Sequence, residues 1–186
     1  MKIAFIGTGL MGYPMAKNLI NKKLNLKVFS RTLEKAKPLE KLGAIIANSL
    51  GEAVKETDIV ITMLTDDEAV EKVLGDQEFL NNLKNSSTVI DMSSIKPKIS
   101  IQYGKLLKDR NIHFLDAPVS GGTIGAEEGS LAIMVGGDQN VFDEAFDTVY
   151  NDKNVMKQYM LGLALSQFLW EHHYKIFNFY TTQLIT

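Results

Sequence analysis

The chain has 186 residues, of which 45% are hydrophobic and 23% charged, and its formal net charge of −2 gives no reason to expect nucleic acid or an anionic membrane as a partner. It has no cysteine, which excludes disulfides, thiolate metal sites and thiol catalysis, and we expect no metal site from its three histidines. Because the N-terminus begins at once with a strand pattern, we expect no signal peptide, no transmembrane segment and a cytoplasmic location.

Strand and helix patterns alternate along the chain. The predicted strands cover residues 2–6, 26–29, 44–46, 58–64, 88–92, 112–115 and 130–135. The predicted helices cover residues 12–20, 33–42 (kinked or shortened by Pro38 and ended by Gly43), 48–54 (capped by Asn48), 66–74, 97–110 and 140–150. This β-α-β-α order predicts an α/β fold with a doubly wound, mostly parallel sheet and helices on both faces.

A glycine motif lies between the first predicted strand and the first predicted helix. Gly7, Gly9 and Gly12 form G-x-G-x-x-G, which is weak evidence alone but here has the required strand–turn–helix context. In that context the first glycine permits a tight turn, the second lets the backbone approach a pyrophosphate, and the third lets helix and strand pack closely. We expect a dinucleotide site here; the alternative is a glycine-rich turn that binds nothing.

The end of the second strand should show which dinucleotide is preferred. An acid at this position would hold the ribose 2′-OH of NAD, but the chain has Ser30, Arg31 and Thr32, and no acid before Glu34. Arg31 can bind a 2′-phosphate through charge-assisted hydrogen bonds, with the two hydroxyls beside it. The residues therefore predict NADP rather than NAD, with a solvated surface arginine as the alternative.

A second glycine cluster occurs in DAPVSGGTIGAEEGSLAIMVGG, residues 116–137. Ser120, Gly121 and Gly122 follow a predicted strand and offer a hydroxyl and two backbone N–H groups, which together can form a small anion-binding concavity. A substrate that carries a carboxylate would suit such a concavity. The alternative is a connecting loop whose glycines serve its geometry alone.

With these motifs in place, the chain resembles the β-hydroxyacid dehydrogenases, which include 3-hydroxyisobutyrate dehydrogenase, tartronate semialdehyde reductase and the glyoxylate/succinic semialdehyde reductases. The resemblance covers roughly residues 1–145. Its motifs are, in the family's order, IGTGLMGYPMAKNL, SRT, MLTDDEAV at 63–70, DMSSIKP at 91–97, and DAPVSGG through IMVGG.

The resemblance implies a Rossmann-type domain followed by an all-helical domain, and reversible hydride transfer between NAD(P) and a small 3-hydroxy acid or its semialdehyde or keto acid. It implies that the substrate carboxylate is bound by Ser120, Gly121 and Gly122. The residues that it implies at the cofactor, together with those argued above, are Gly7, Gly9, Leu10, Met11, Gly12, Ser30, Arg31, Thr32, Met63, Leu64 and Ser94.

The family pattern is not continued after residue 154. We expect a cofactor domain at 1–154 and a short helical segment at 155–186, in which the family's G-x-G-x-x-x-K-x-x-N-N motif is lacking. Lys175, in K-x-x-N with Asn178, is the candidate proton donor, and its alternative is an ordinary surface lysine. The aromatic residues of this tail favour self-association.

Three explanations for the tail stay open: a domain fragment, a naturally short relative, or a reading-frame change near residue 150. The function has three alternatives as well. The chain is an NADP-dependent β-hydroxyacid dehydrogenase or a piece of one, an NADP-binding module without turnover, or a relative of the imine reductases in which another group supplies the proton.

Overall fold

The computed structural model describes residues 1–150 of the chain. Its strands are β1 (Lys2–Ile6), β2 (Asn25–Phe29), β3 (Ile45–Ile46), β4 (Ile59–Thr62), β5 (Thr88–Asp91), β6 (His113–Asp116), β7 (Val119–Ser120), β8 (Ala132–Ile133) and β9 (Gly136–Gly137). Its helices are α1 (Gly12–Asn21), α2 (Lys37–Glu40), α3 (Leu50–Val54), α4 (Asp67–Leu74), α5 (Gln77–Asn82), α6 (Pro97–Lys108), α7 (Gly122–Glu128) and α8 (Gln139–Tyr150), with a 3₁₀ turn at Leu33–Lys35.

The main sheet has the strand order β3-β2-β1-β4-β5-β6-β9. The first six strands of that order are parallel, and β9 joins β6 in the antiparallel direction. The chain first builds outward from β1 to β2 and β3, and then crosses over to β4 on the other side of β1. The sheet therefore has its topological switch point beside β1, where ligands of open α/β sheets bind. The predicted Rossmann-type, mostly parallel architecture is confirmed.

Both faces of the sheet are covered, because successive side chains of a strand point to opposite faces. In β1, Ile3 and Phe5 enter a core that also contains residues of α1, α2 and α7. Ala4 and Ile6 enter a second core with residues of α3, α4, α5 and α6. All four of these β1 side chains are buried, which accounts for the continuous apolar pattern of the strand.

The helix predicted at residues 33–42 is wrong in extent. The structure has the 3₁₀ turn at Leu33–Lys35 and then the short α2, with Pro38 in its first turn. A proline lacks an N–H and fits the first turn of a helix, where that group has no partner. Pro38 therefore starts α2, so the helix is shortened, as one of the two expected effects of this proline, and it is not kinked.

Asn48 was expected to cap the next helix, and this prediction is also wrong. Ser49 is the N-cap of α3, and its hydroxyl accepts a hydrogen bond from the N–H of Glu52 at 3.2 Å. The Glu52 carboxylate accepts in turn from the backbone N–H of Asn48 at 2.7 Å. The pattern S-x-x-E from residue 49 to residue 52 is the sequence signature of this arrangement, and it identifies the serine as the cap.

The segment after β6 differs most from the prediction. Instead of one strand at residues 130–135, β8 pairs with β7 in a separate antiparallel sheet, and α7 lies between them in the chain. Helix α5 was not predicted either. It is capped by Asp76, whose carboxylate accepts a hydrogen bond from the N–H of Phe79.

Candidate functional site

The predicted cofactor residues meet along one edge of the main sheet. The glycine turn follows β1, residues 30–32 follow β2, residues 63 and 64 follow β4, and residue 94 follows β5. Since these strands are parallel neighbours, their carboxyl ends lie at the same edge. The structure thus brings together, at the switch point, four short segments that are up to 87 positions apart in the chain.

Two glycines of the turn are required by close packing. Gly7 has a φ of +100°, and a Cβ on it would overlap the carbonyl oxygen of Met63. A Cβ on Gly12, the first residue of α1, would overlap the carbonyl oxygen of Gly7. Side chains at these two positions would therefore push the turn away from β4 and the helix away from the turn.

Gly9 has a different environment. It is exposed, its φ is not positive, and a Cβ on it would meet no atom of the protein within 4 Å. No side chain caps the N-terminus of α1, which begins three residues later. In the first turn of α1, Tyr13 and Met15 donate to the carbonyl oxygens of Gly9 and Met11, and Pro14 has no N–H. The N–H groups that remain to hold a pyrophosphate are therefore those of residues 9–12, beside the open backbone position. The glycine turn fits a dinucleotide.

An open groove of about 680 Å³ begins at this turn. It is lined by Gly9 and Leu10 at one end, and Lys17, Lys35 and Glu127 also line it. Leu10 is 86% exposed, which is unusual for a large apolar side chain and leaves it available to a ligand. The two lysines outnumber the one carboxylate, that of Glu127, so the charge of the groove favours an anion.

The three residues after β2 are not equivalent. Ser30 is buried with 8% exposure, whereas Arg31 and Thr32 are exposed. Within residues 1–150, no ion pair or hydrogen bond of the Arg31 side chain is seen. Arg31 is therefore free to bind an anion at the carboxyl end of β2, and Ser30 is the least accessible of the three.

Leu64 is held in place by a hydrogen-bond network that the sequence reasoning missed. Its N–H donates to Ser93 Oγ at 2.9 Å, and the Ser93 hydroxyl donates to Asp91 Oδ1 at 2.6 Å. The same carboxylate oxygen accepts from Thr62 Oγ1 at 2.8 Å and from the Ser93 N–H at 3.2 Å. The sequence does contain a signal for this network, because two polar residues, Thr62 and Asp91, end neighbouring buried strands.

Two carboxyl groups lie side by side at this edge, since Asp91 of β5 is in register with Asp116 of β6. Burial raises the pKa of Asp91 above its ordinary value, against hydrogen bonds from Ser93 and Thr62 that lower it. Burial also raises the pKa of Asp116, the neighbouring charge of Asp91 raises it further, and a hydrogen bond with Ser100 lowers it. The paired acids therefore resist ionisation.

Ser94, which the resemblance implies at the cofactor, is exposed next to this network. The loop that carries it is tied to the start of α4, because Asp67 accepts a hydrogen bond from the N–H of Lys96 at 3.0 Å and pairs with its ammonium group at 2.8 Å. The loops after β4 and β5 are thus joined at both Leu64 and Asp67.

The predicted substrate residues lie at the junction of β7 and α7. Ser120 ends β7, Gly121 precedes α7 and Gly122 is its first residue. All three are exposed, and both glycines have positive φ values, +131° and +61°. These φ values favour glycine, so the geometry of the turn by itself requires the two glycines.

Lys175, the predicted proton donor, lies outside the described residues, as does the predicted segment 155–186 with its expected self-association. Among residues 1–150, no group of three or more acidic or histidine side chains is placed to hold a metal ion. No helix in this part of the chain has the length and apolar character needed to cross a membrane.

Comparisons with known proteins agree with this geometry. The model of the NAD binding domain of 6-phosphogluconate dehydrogenase matches residues 2–151. The chain is 40% identical to 2-hydroxy-3-oxopropionate reductase of Escherichia coli over 144 residues, which are 77% of this chain and 49% of the relative. It is 39% identical to NAD-dependent L-serine dehydrogenase of Pseudomonas aeruginosa over 145 residues, again 77% of this chain and 49% of the relative.

A solved structure of 3-hydroxyisobutyrate dehydrogenase from Mycobacterium tuberculosis with L-serine matches with a TM-score of 0.75 and 33% identity, and the match covers 85% of this chain and 51% of that one. The chain spans about half the length of the curated relatives it matches. The family model matches residues 2–151, which is most of the chain, and this match confirms the resemblance found from the motifs. The chain belongs to the family of the NAD-binding domain of 6-phosphogluconate dehydrogenase, and its relatives include β-hydroxyacid dehydrogenases.

Proposed function

We propose that this chain is the cofactor-binding part of an NADP-dependent oxidoreductase that interconverts a small 3-hydroxy acid and its semialdehyde or keto acid. The observation that carries the proposal is the glycine turn at the switch point. There Gly7 and Gly12 are required by packing, while Gly9 borders open space. When bound, the nicotinamide supplies or accepts the hydride, and the protein has to hold it and orient the substrate.

The preference for NADP rests on Arg31. This guanidinium is exposed at the carboxyl end of β2, where the ribose of a bound dinucleotide would lie, and the next acid in the chain is Glu34. The Glu34 carboxylate pairs with Lys37, so it is engaged elsewhere. The relative from Pseudomonas aeruginosa is named NAD-dependent, so family membership leaves the preference to be measured.

The substrate class rests on the turn at residues 120–122. Exposed backbone at Gly121 and Gly122 and the Ser120 hydroxyl can donate hydrogen bonds to a carboxylate. The Mycobacterium tuberculosis structure contains L-serine, which is a small molecule with a carboxylate. We therefore propose a small carboxylate-bearing substrate and a cytoplasmic enzyme with the domain limits 1–154 and 155–186.

The second candidate is an NADP-binding module without turnover. Reduction of the carbonyl leaves an alkoxide, which a positioned acid has to protonate. The sequence offers Lys175 in a K-x-x-N pattern for this role and lacks the family's full lysine motif. Binding of the cofactor depends on residues 1–150, whereas turnover depends on the proton donor, so the two candidates can be separated.

Titration of the chain with NADPH and NADH tests the cofactor preference. We expect tighter binding of NADPH, and we expect Arg31→Ala to weaken NADPH binding about 10- to 100-fold, since hydrogen bonds to a charged group contribute roughly 1.5–3 kcal/mol. Binding of NADH should change less than about two-fold. Arg110→Ala is the matched control, because Arg110 is an exposed arginine just before β6, at the opposite edge of the sheet. Equal binding of the two cofactors by the unmodified chain would contradict the NADP proposal.

Oxidation of NADPH in the presence of small semialdehydes and glyoxylate tests turnover. Turnover that is lost in Lys175→Ala with unchanged NADPH affinity supports the dehydrogenase with Lys175 as proton donor. Binding without turnover identifies the binding module. Turnover on cyclic imines alone would place the chain with the imine reductases instead.

A further inference from the structure

The peptide group that joins Met63 to Leu64 is held from both sides. Its carbonyl oxygen occupies the space where a side chain of Gly7 would be. Its N–H donates to Ser93 Oγ at 2.9 Å. A peptide group is planar, so fixing the direction of the N–H also fixes the direction of the carbonyl. Ser93 therefore controls the surface against which the glycine turn packs.

The Ser93 hydroxyl is in turn held by Asp91. Ser93 Oγ accepts from the N–H of Leu64, and it donates its proton to Asp91 Oδ1 at 2.6 Å. Asp91 and Ser93 are both fully buried, with 0% exposure. The hydroxyl cannot exchange this bond for one to water, so the carboxylate fixes its direction.

Burying the carboxyl group of Asp91 costs free energy. The interactions that stabilise its charged form are hydrogen bonds, and no basic side chain of residues 1–150 is among them. Its Oδ2 atom is buried and has no hydrogen-bond partner in this part of the protein. Burying a carboxyl group in this way costs free energy, which an amide or an apolar residue at the same place would avoid in large part.

We propose that Asp91 is a positioning residue for the dinucleotide, acting through Ser93 and the peptide group between Met63 and Leu64 on the glycine turn. This inference rests on the proposed function, since it assigns the link from Asp91 through Ser93 to Leu64 to the cofactor site. Loss of the Ser93 hydroxyl frees the peptide group to rotate and lets the turn shift under the pyrophosphate. The contact with Gly7 links a buried acid in β5 to the phosphate end of the site, although Asp91 itself touches no ligand.

Ser93→Ala in the full chain tests the proposal, with two measurements. We expect hydrogen exchange of the Leu64 amide to become at least about ten times faster, and NADPH affinity to fall about ten-fold, which is the loss of roughly one buried hydrogen bond. Asp91→Ala should have the same two effects. Asp91→Asn should restore affinity to within about three-fold, because its carbonyl oxygen can accept the bonds of Oδ1 and Oδ2 makes none.

Thr62→Val is the matched control. Thr62 donates to the same carboxylate oxygen, at 2.8 Å, but its side chain makes no hydrogen bond to Leu64 in the described part of the chain. This variant should therefore lose thermal stability and keep its NADPH affinity within about two-fold. If Ser93→Ala does not fold, Ser93→Cys carries the test, since a thiol is a weak hydrogen-bonding group.

Two results would overturn the inference alone: unchanged NADPH affinity in Ser93→Ala, or an equal loss of affinity in Thr62→Val, which would show that stability is the cause. A chain that binds neither NADPH nor NADH before any substitution would overturn the proposed function, and the inference with it.

Discussion

Gly9 and Gly12 belong to one motif, but the structure requires them for different reasons. A Cβ on Gly12 would overlap the Gly7 carbonyl oxygen in the protein alone. A Cβ on Gly9 would meet nothing there. Gly12 therefore serves the packing of α1 against the turn, whereas Gly9 serves whatever approaches from outside. The motif predicts both roles, and the packing distances separate them.

Alanine substitutions can distinguish these two roles. We expect Gly12→Ala to destabilise the fold by about 2–4 kcal/mol, because overpacking displaces backbone. Gly9→Ala should leave the melting temperature unchanged and weaken NADPH binding at least about ten-fold, since the new methyl group would occupy the approach to the backbone. Thermal unfolding and a fluorescence titration of NADPH measure the two effects. A Gly9→Ala variant that binds normally would mean that the pyrophosphate does not pass this residue.

The glycine turn could be predicted because its residues are adjacent in the sequence and follow a strand. The network of Thr62, Asp91 and Ser93 could not, because Thr62 ends β4, whereas Asp91 and Ser93 lie at the end of β5 and in the loop after it, with two helices between the strands. The family motif included Asp91 without giving it a role. Which oxygen each hydroxyl contacts depends on the register of β4 and β5, and this register is a property of the assembled sheet.

At the scale of elements, most boundaries of the helices and strands could be predicted from local sequence signals. The wrong predictions fall where two neighbouring signals compete. Two neighbouring residues, Asn48 and Ser49, can both cap a helix. The spacing to Glu52 decides in favour of Ser49. The strand pattern at residues 130–135 is apolar enough for a longer strand. However, β8 pairs with β7, which has two residues because the turn at Gly121 and helix α7 follow it directly.

The cap makes a direct prediction for stability. We expect Ser49→Ala to lower the free energy of unfolding by about 1 kcal/mol, since an N–H at the start of α3 loses its partner. Asn48→Ala should cost less than about 0.5 kcal/mol, because its backbone N–H still donates to Glu52. Urea unfolding of the two variants beside the unmodified chain measures the difference. A larger loss in Asn48→Ala would assign the cap to that residue after all.

At the scale of the whole molecule, the fold was predicted well because both faces of the sheet are covered. Strands buried on two sides have continuous apolar patterns, as in β1 and β4, and these are typical of parallel sheets. The short strands β7, β8 and β9 were not predictable in the same way. Each of these strands has two residues, which is too few for an apolar pattern, so its pairing depends on the strand beside it in the folded protein.

The buried acids make the stability of the whole molecule depend on pH. Because burial raises the pKa of Asp91, the folded state keeps a proton that the unfolded state has already lost. The unfolded carboxyl titrates near pH 4, roughly, so Asp91 makes folding less favourable as the pH rises from there through its raised folded pKa. We expect the stability of Asp91→Asn relative to the unmodified chain to increase over this range, as measured by urea unfolding at a series of pH values.

Asp58 serves as the control, because its contribution to stability should change with pH in the opposite direction. A hydrogen bond from Lys84 lowers its pKa, together with one from the backbone of Lys2. The stability that Asp58 contributes is present above the unfolded pKa and is lost as the pH falls through the lowered one. Asp58→Asn should therefore lose stability relative to the unmodified chain at neutral pH and match it in acid. The same pH trend in both variants would show that one of the two carboxyl groups does not titrate as its surroundings indicate.

The part of the candidate site that would hold the pyrophosphate consists of backbone groups. Residues 9–12, up to the first residue of α1, offer N–H groups, which every residue except proline retains when its side chain is replaced. Substitutions that remove a proton donor elsewhere therefore leave this end of the site untouched. Nucleotide binding and chemical turnover therefore depend on different parts of the proposed enzyme, so a variant can lose turnover and still hold the nucleotide.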